Sequence, residues 1–181
     1  MIRFLSIPVL ALGLAGAAPA QDASPYAGQD TRAIAGLSEE RTEGLRTGAG
    51  LGYARAAELN GWPGPLHVLE LADELSLDAR TRDAVEAIRQ DMLAVVRPLG
   101  EALIAAEADL DALFSGDKAL SPDDVTRATA RIGAVEGDLR AAHLAAHLHT
   151  APLLDQHQTM LYARARGYET DHSGPGHKHG Q

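Results

Sequence analysis

The sequence predicts an all-α protein built on a long antiparallel helical hairpin with short flanking helices. Three observations carry this. Apolar residues recur at intervals of three and four along two long segments, a short polar connection joins those segments, and the composition is rich in Ala but only 4 % aromatic. Threes and fours line one face of a helix, and small side chains let helices approach closely. The 181 residues contain no Cys, so helix packing alone is expected to hold the fold.

The chain opens with Arg3 and an apolar run from Phe4 through Leu14, followed by small residues that lead to Ala18-Pro19-Ala20. That is the pattern of a cleaved export signal. The run is shorter than the roughly 20 apolar residues that span a bilayer, so stable membrane insertion is not expected. No Cys stands near the cleavage point, which excludes a lipid anchor there. Residues 1–20 are therefore expected to be removed on export to the periplasm. The net charge is −9, and −10 once Arg3 is lost. So acidic a balance argues against nucleic acid and against anionic lipid as partners.

Residues 21–61 read as an N-terminal extension, partly helical. Within it, 31–46 is polar with Ile34, Leu37 and Leu45, a weak helix at best; Gly48-Ala49-Gly50-Leu51-Gly52 is a loop, and 53–59 a short helical piece. Asn60-Gly61-Trp62-Pro63-Gly64-Pro65 forces a turn, and Pro65 suits the first turn of a helix over 66–75. Asp78 is an N-cap candidate for the clearest element, in which Ile88, Met92, Val95, Leu99, Leu103, Ala106, Leu110 and Leu113 form one stripe. Pro98 lies inside it; because the stripe continues in phase, a kink and not a stop is expected. Ser121-Pro122-Asp123-Asp124 restarts the chain with a cap and acids in the first turn. Val125, Ala128, Ile132, Val135, Leu139, Ala142 and Ala146 then repeat in threes and fours, and the short connection makes an antiparallel hairpin. Pro152 ends that helix, Asp155 caps a last one to about Arg166, and residues 169–181 read as a disordered, His-rich tail.

A faint internal repeat marks two of these starts. Leu77-Asp78-Ala79-Arg80-Thr81 and Leu154-Asp155-Gln156-His157-Gln158 each place a Leu before a capping residue, with a polar residue three positions further on. Both read as helix caps, Asp78 with Thr81 and Asp155 with Gln158. The two segments resemble the paired Leu-Thr-x-x-Gln motifs of the Spy/CpxP superfamily of periplasmic proteins, which includes ZraP-like and heavy-metal-resistance relatives. The resemblance spans residues 62–168 and departs from the family at Asp78, Asp155 and Thr81; an Asp caps a helix as well as a Thr does. It implies a helical hairpin that pairs into a cradle-shaped homodimer and binds unfolded or misfolded envelope proteins, or a membrane-bound signalling partner, without ATP. The chaperones of that family tend to a basic surface, whereas this chain is acidic. Leu144 and Leu148 are candidate client-binding residues, since they lie on the face opposite Leu139 and Ala146.

Eight histidines are present, and all but His67 lie beyond residue 142. His143 and His147 stand one helical turn apart, a spacing that chelates a divalent transition metal when a neighbouring element adds a ligand. Winding the chain about its two connections brings His67, Glu70 and Glu86 towards the same end, while His149 points elsewhere. By the family resemblance, the ligand positions of nickel and cobalt sensors fall near Val68, Ala72, Arg89, Ala146 and Thr150, so a metal core here needs another site. His172, His177 and His179 sit among Gly and Pro in the tail, a composition that binds Zn, Cu or Ni weakly. No cofactor is required by any motif. No nucleophile elbow, phosphate loop or His-Glu-x-x-His occurs, and Glu107 with Asp111 reads as a solvated face, so no enzyme is expected. The sequence thus points to a stress protein of the envelope modulated by metal, with a metal sensor or buffer as the alternative.

Overall fold

The computed structural model describes residues 24–116 and 119–168. The expected signal at 1–20 and the tail at 169–181 lie outside the described residues. Two compact units divide the chain, 1–31 and 32–181. In the first, Ser24 and Tyr26 carbonyls accept from the Ala27 and Gln29 amides in successive turns.

The second unit is all-α. Its elements are α1 (Glu39–Thr47), α2 (Arg55–Glu58), α3 (Pro65–Glu70), α4 (Ala79–Ser115), α5 (Pro122–Thr150), a 3₁₀ turn (Ala151–Leu153) and α6 (Gln156–Ala165). Each long helix starts where a side chain meets orphan amides. Asp78 accepts the Thr81 N–H at 2.7 Å, which holds its carboxyl below the usual range. Ser121 and Asp124 form a reciprocal capping box with Pro122 at the first helical position. Asp155 and Gln158 form a second box; at Asp78 the Thr81 N–H makes the cap. Pro98 lies within α4, which continues through it to Ser115.

α4 and α5 pack along one another as the hairpin, and a central cluster of Leu93, Val96, Leu103, Ile104 and Leu139 fills the seam. Burying one such side chain stabilises the fold by roughly 1.5–3 kcal/mol. The first half of α4 differs from the expected stripe. Val96 and Gly100 are buried there, while Val95 is 51 % exposed. The reason is a second neighbour: α1 lies along α4, while α2 meets α5. Leu37, Leu45 and Tyr53 join the central cluster. Gly48, at φ +77, ends α1 in the left-handed conformation that glycine tolerates, and a Cβ there would stand 2.7 Å from Leu93 Cδ2. At Gly100 a Cβ would stand 2.2 Å from the Leu45 carbonyl oxygen. The missing side chains are what let α1 lie on α4.

Charged groups then clip the extension in place. Arg41 on α1 reaches Glu136 on α5 and the Tyr53 hydroxyl. Asp111 accepts the Ala35 N–H at 3.4 Å. Glu107 is half-buried beside Gly36, and burial together with the nearby Glu136 raises its pKa. Glu107 and Asp111 therefore cover the 34–37 turn instead of forming a freely solvated face.

At the other end, α3 is shorter than the expected 66–75 helix. It stops at Glu70, and the chain turns out through Ser76 at φ +50. Val68, Leu75, Val85, Leu154 and Tyr162 form a second cluster there, with Leu77 packed against it. Both repeat segments thus meet at one end of the hairpin, and Gln158 Nε2 donates to the Leu75 carbonyl at 3.2 Å. Among the described residues, no helix is long and apolar enough to cross a membrane.

Candidate functional site: a histidine-lined cavity

The last two turns of α5 carry His143 and His147 on one edge, facing the end of the hairpin where residues 47–66 fold back. The amphipathic phase of α5 that buries Leu139 and Ala146 draws both imidazoles inward. They border a cavity of about 310 Å³ lined also by His67, Arg89, Pro65 and Leu93. An adjoining cleft of about 460 Å³ shares Leu66, His67 and His147 with it and adds Arg55, Glu58 and Arg166.

His143 is 4 % exposed and stacks on Tyr53, with ring centroids 5.5 Å apart and planes 16° from parallel. Its Nε2 has no hydrogen-bond partner. Burial, helped by the charge of His147, lowers its pKa from 6.5 to about 4. Burial also pushes the Tyr53 hydroxyl up to about 12, with Glu136 adding to it.

His147 Nδ1 lies 2.7 Å from the Trp62 carbonyl and 3.7 Å from Glu58 Oε2. Gly64 makes room: a Cβ there would stand 2.5 Å from the ring. Glu58 is the hub behind it. Its Oε1 accepts the Tyr162 hydroxyl at 2.6 Å and Arg166 Nε at 3.3 Å, while Oε2 has no partner. Desolvation first, and Glu58 next, raise the Tyr162 pKa. His67 Nδ1 is held by Glu70 at 2.7 Å.

Three of the six candidate metal residues, His67, His143 and His147, therefore border one cavity. Glu70 positions His67, and Glu86 instead bonds Gln90 and approaches Arg89. Among the described residues, no three His, Asp or Glu side chains stand close enough to hold one ion. His172, His177 and His179 lie outside the described residues. His149 is exposed and borders a different groove. Of the client-binding candidates, Leu148 is 53 % exposed but Leu144 is half-buried. Asp78, Thr81, Asp155 and Gln158 do the capping described above. Sequence reasoning missed Tyr53, Glu58, Tyr162 and Arg166. The scarcity of aromatics was the available signal: two of only four tyrosines are buried, and both sit against this site.

The state of His143 gives a first expected result. The unfolded chain takes up its proton near pH 6.5, whereas the folded chain does so only near 4. Stability from this group is therefore complete above about pH 6.5 and is lost as pH falls towards 4. The total loss is about 3 kcal/mol at 1.36 kcal/mol per unit. Denaturant titrations from pH 7.5 to 4 should show this step in the native chain and its disappearance in His143→Gln.

No family model, curated protein or solved structure matches the chain. Fold and site together define an all-α helical-hairpin protein in which an N-terminal segment clamps the hairpin and completes a histidine-lined cavity.

Proposed function

We propose that the chain is an exported envelope-stress protein of the Spy/CpxP type, which holds unfolded or partner proteins on its hairpin without ATP. On this reading it works in the periplasm as a homodimer, metal modulates it, and it carries no catalysis. The observation that carries the reading is an apolar groove of about 580 Å³ along the hairpin seam, lined by Ile88, Met92, Val95, Ala142 and Ala145, with Asp91 and His149 at its edge. Exposed Leu148, on the same helix, lies outside the lining of that groove. An open apolar strip rimmed by polar groups suits loose binding of many partners. The test is suppression of aggregation of a reduced client protein in excess chelator. Suppression at near-stoichiometric ratios is expected, weakened in Val95→Asp, a groove-lining position that is exposed and leaves the core intact. A native chain that leaves client aggregation unchanged removes the reading.

A second reading is favoured by one specific observation. Three imidazoles border a single cavity, as a periplasmic heavy-metal sensor or metal buffer would require.

A further inference from the structure

The cleft beside the histidine cavity is basic in an acidic molecule. The chain carries a net charge of −9, yet this space of about 460 Å³ is bordered by Arg55 and Arg166 against the single carboxylate of Glu58. That carboxylate is already engaged. Its Oε1 accepts the Tyr162 hydroxyl at 2.6 Å and Arg166 Nε at 3.3 Å, and its side chain is only 12 % exposed. Arg55 is exposed and has no acidic partner among the described residues. Its guanidinium lies against the turn in which the Gly50 carbonyl accepts the Tyr53 N–H at 2.7 Å. Gly52, at φ +79 in that turn, leaves the space for it: a Cβ there would stand 3.4 Å from Arg55 Nη2. Arg166 is held from its own side, where Nη2 donates to the Tyr168 hydroxyl at 3.4 Å and the guanidinium lies 5.8 Å from the centre of that ring. Nε and Nη2 of Arg166 are thus engaged, and Nη1 is left to offer. A guanidinium with donors to offer takes a carboxylate in a two-pronged pair.

Much of the remaining wall is apolar. Leu51, Leu59, Leu66 and Tyr168 line it, and Leu59 is 62 % and Leu66 42 % exposed. Large apolar side chains beside a few convergent polar groups are the make-up of small-molecule sites, whose volumes run roughly from 300 to 1,000 Å³. We infer that the cleft binds a small organic carboxylate with an apolar or aromatic body. Its carboxylate sits on Arg55 and on Nη1 of Arg166, and its body covers Leu59 and Leu66. A bare phosphate or sulfate would meet the arginines but leave both leucines in water, so the apolar body is part of what the cleft selects. This cleft shares no lining residue with the apolar groove along the seam. The inference therefore goes beyond the client-holding reading, and each can fail alone.

The test is calorimetric titration of 4-phenylbutyrate into the full chain at neutral pH in metal-free buffer. Two parallel arms use 4-phenylbutyramide, which keeps the body and lacks the charge, and inorganic phosphate, which keeps the charge and lacks the body. Saturable binding of one phenylbutyrate per chain is expected, with each control weaker by about tenfold or more. Arg55→Gln should weaken the carboxylate about tenfold and leave the amide unchanged, whereas Leu59→Ser should weaken both. Arg55 and Leu59 are exposed, so an unchanged thermal midpoint is expected in either variant. A second measurement needs no substitution: ¹H–¹⁵N spectra of the native chain should show shifts of the Arg55 Nε–H and of the Gly50, Leu51 and Gly52 amides during titration. Absence of saturable binding overturns the site, as do equal binding of the amide or of phosphate, unchanged binding in Arg55→Gln, or shifts confined to the seam groove.

Discussion

Leu103→Ala is expected to lower the unfolding free energy by about 2–5 kcal/mol, enough to remove much of the stability of a domain this size. Leu103 is fully buried in the central cluster where α4 meets α5 and the docked N-terminal segment. Truncating it removes transfer energy and leaves a void that three elements cannot all close at once. The cost should appear as a lower urea midpoint with an unchanged slope. Val95→Ala, on the same helix but half-exposed, should change the unfolding free energy by no more than about 0.5 kcal/mol. Equal effects at the two positions would mean that the hairpin seam has been placed on the wrong face.

Gly100→Ala carries the second large effect, and its sign is what matters. In an exposed helix interior, Gly→Ala stabilises by about 0.5–1 kcal/mol. Gly133 and Gly137 on α5 have nothing within 4 Å of a built Cβ, and their alanine variants should show that gain. At Gly100 the new Cβ would stand 2.2 Å from the Leu45 carbonyl oxygen and 2.8 Å from its carbon. These are backbone atoms of α1 and cannot swing aside as a side chain can, so α1 must lift. A net loss of about 2–3 kcal/mol is expected, with faster amide exchange in 41–47 read by mass spectrometry. A stabilised Gly100→Ala would show that α1 does not lie on α4.

The contrast between these glycines explains which parts of the molecule the sequence reveals. The hairpin is written in side chains that are present: the threes and fours to Leu113, the Ser121-Pro122 start and the repeat from Val125 to Ala146. The docking of 32–61 is written in side chains that are absent. Gly48 and Gly100 let backbone meet helix, and no hydrophobic period reports that. The error along the first half of α4 has the same origin. Met92, Leu93, Val95 and Val96 spread over nearly half of the helix circumference there, so the period alone allows either edge to be buried, and the unseen neighbour α1 selects Leu93 and Val96. The expected 66–75 helix ended early because its last residues are needed in the turn that brings Leu75 under Gln158.

The site divides in the same way. His67, His143 and His147 share a cavity that follows from winding the chain about its two short connections, which is geometry a sequence contains. Glu58 with Tyr162, and Tyr53 with His143, join residues roughly a hundred positions apart, and local pattern does not encode such pairings. They become visible only once the N-terminal segment is seen to fold back over the end of α5.

The account depends on that fold-back, and the stacked pair Tyr53–His143 reports it most directly. A NOESY spectrum of the full chain at neutral pH should show cross-peaks between the ring protons of these two residues, whose centroids lie 5.5 Å apart. Tyr53 signals at solvent-exposed positions with no contact to His143 would contradict it, since the extension would then not clamp the hairpin and the cavity would have no roof.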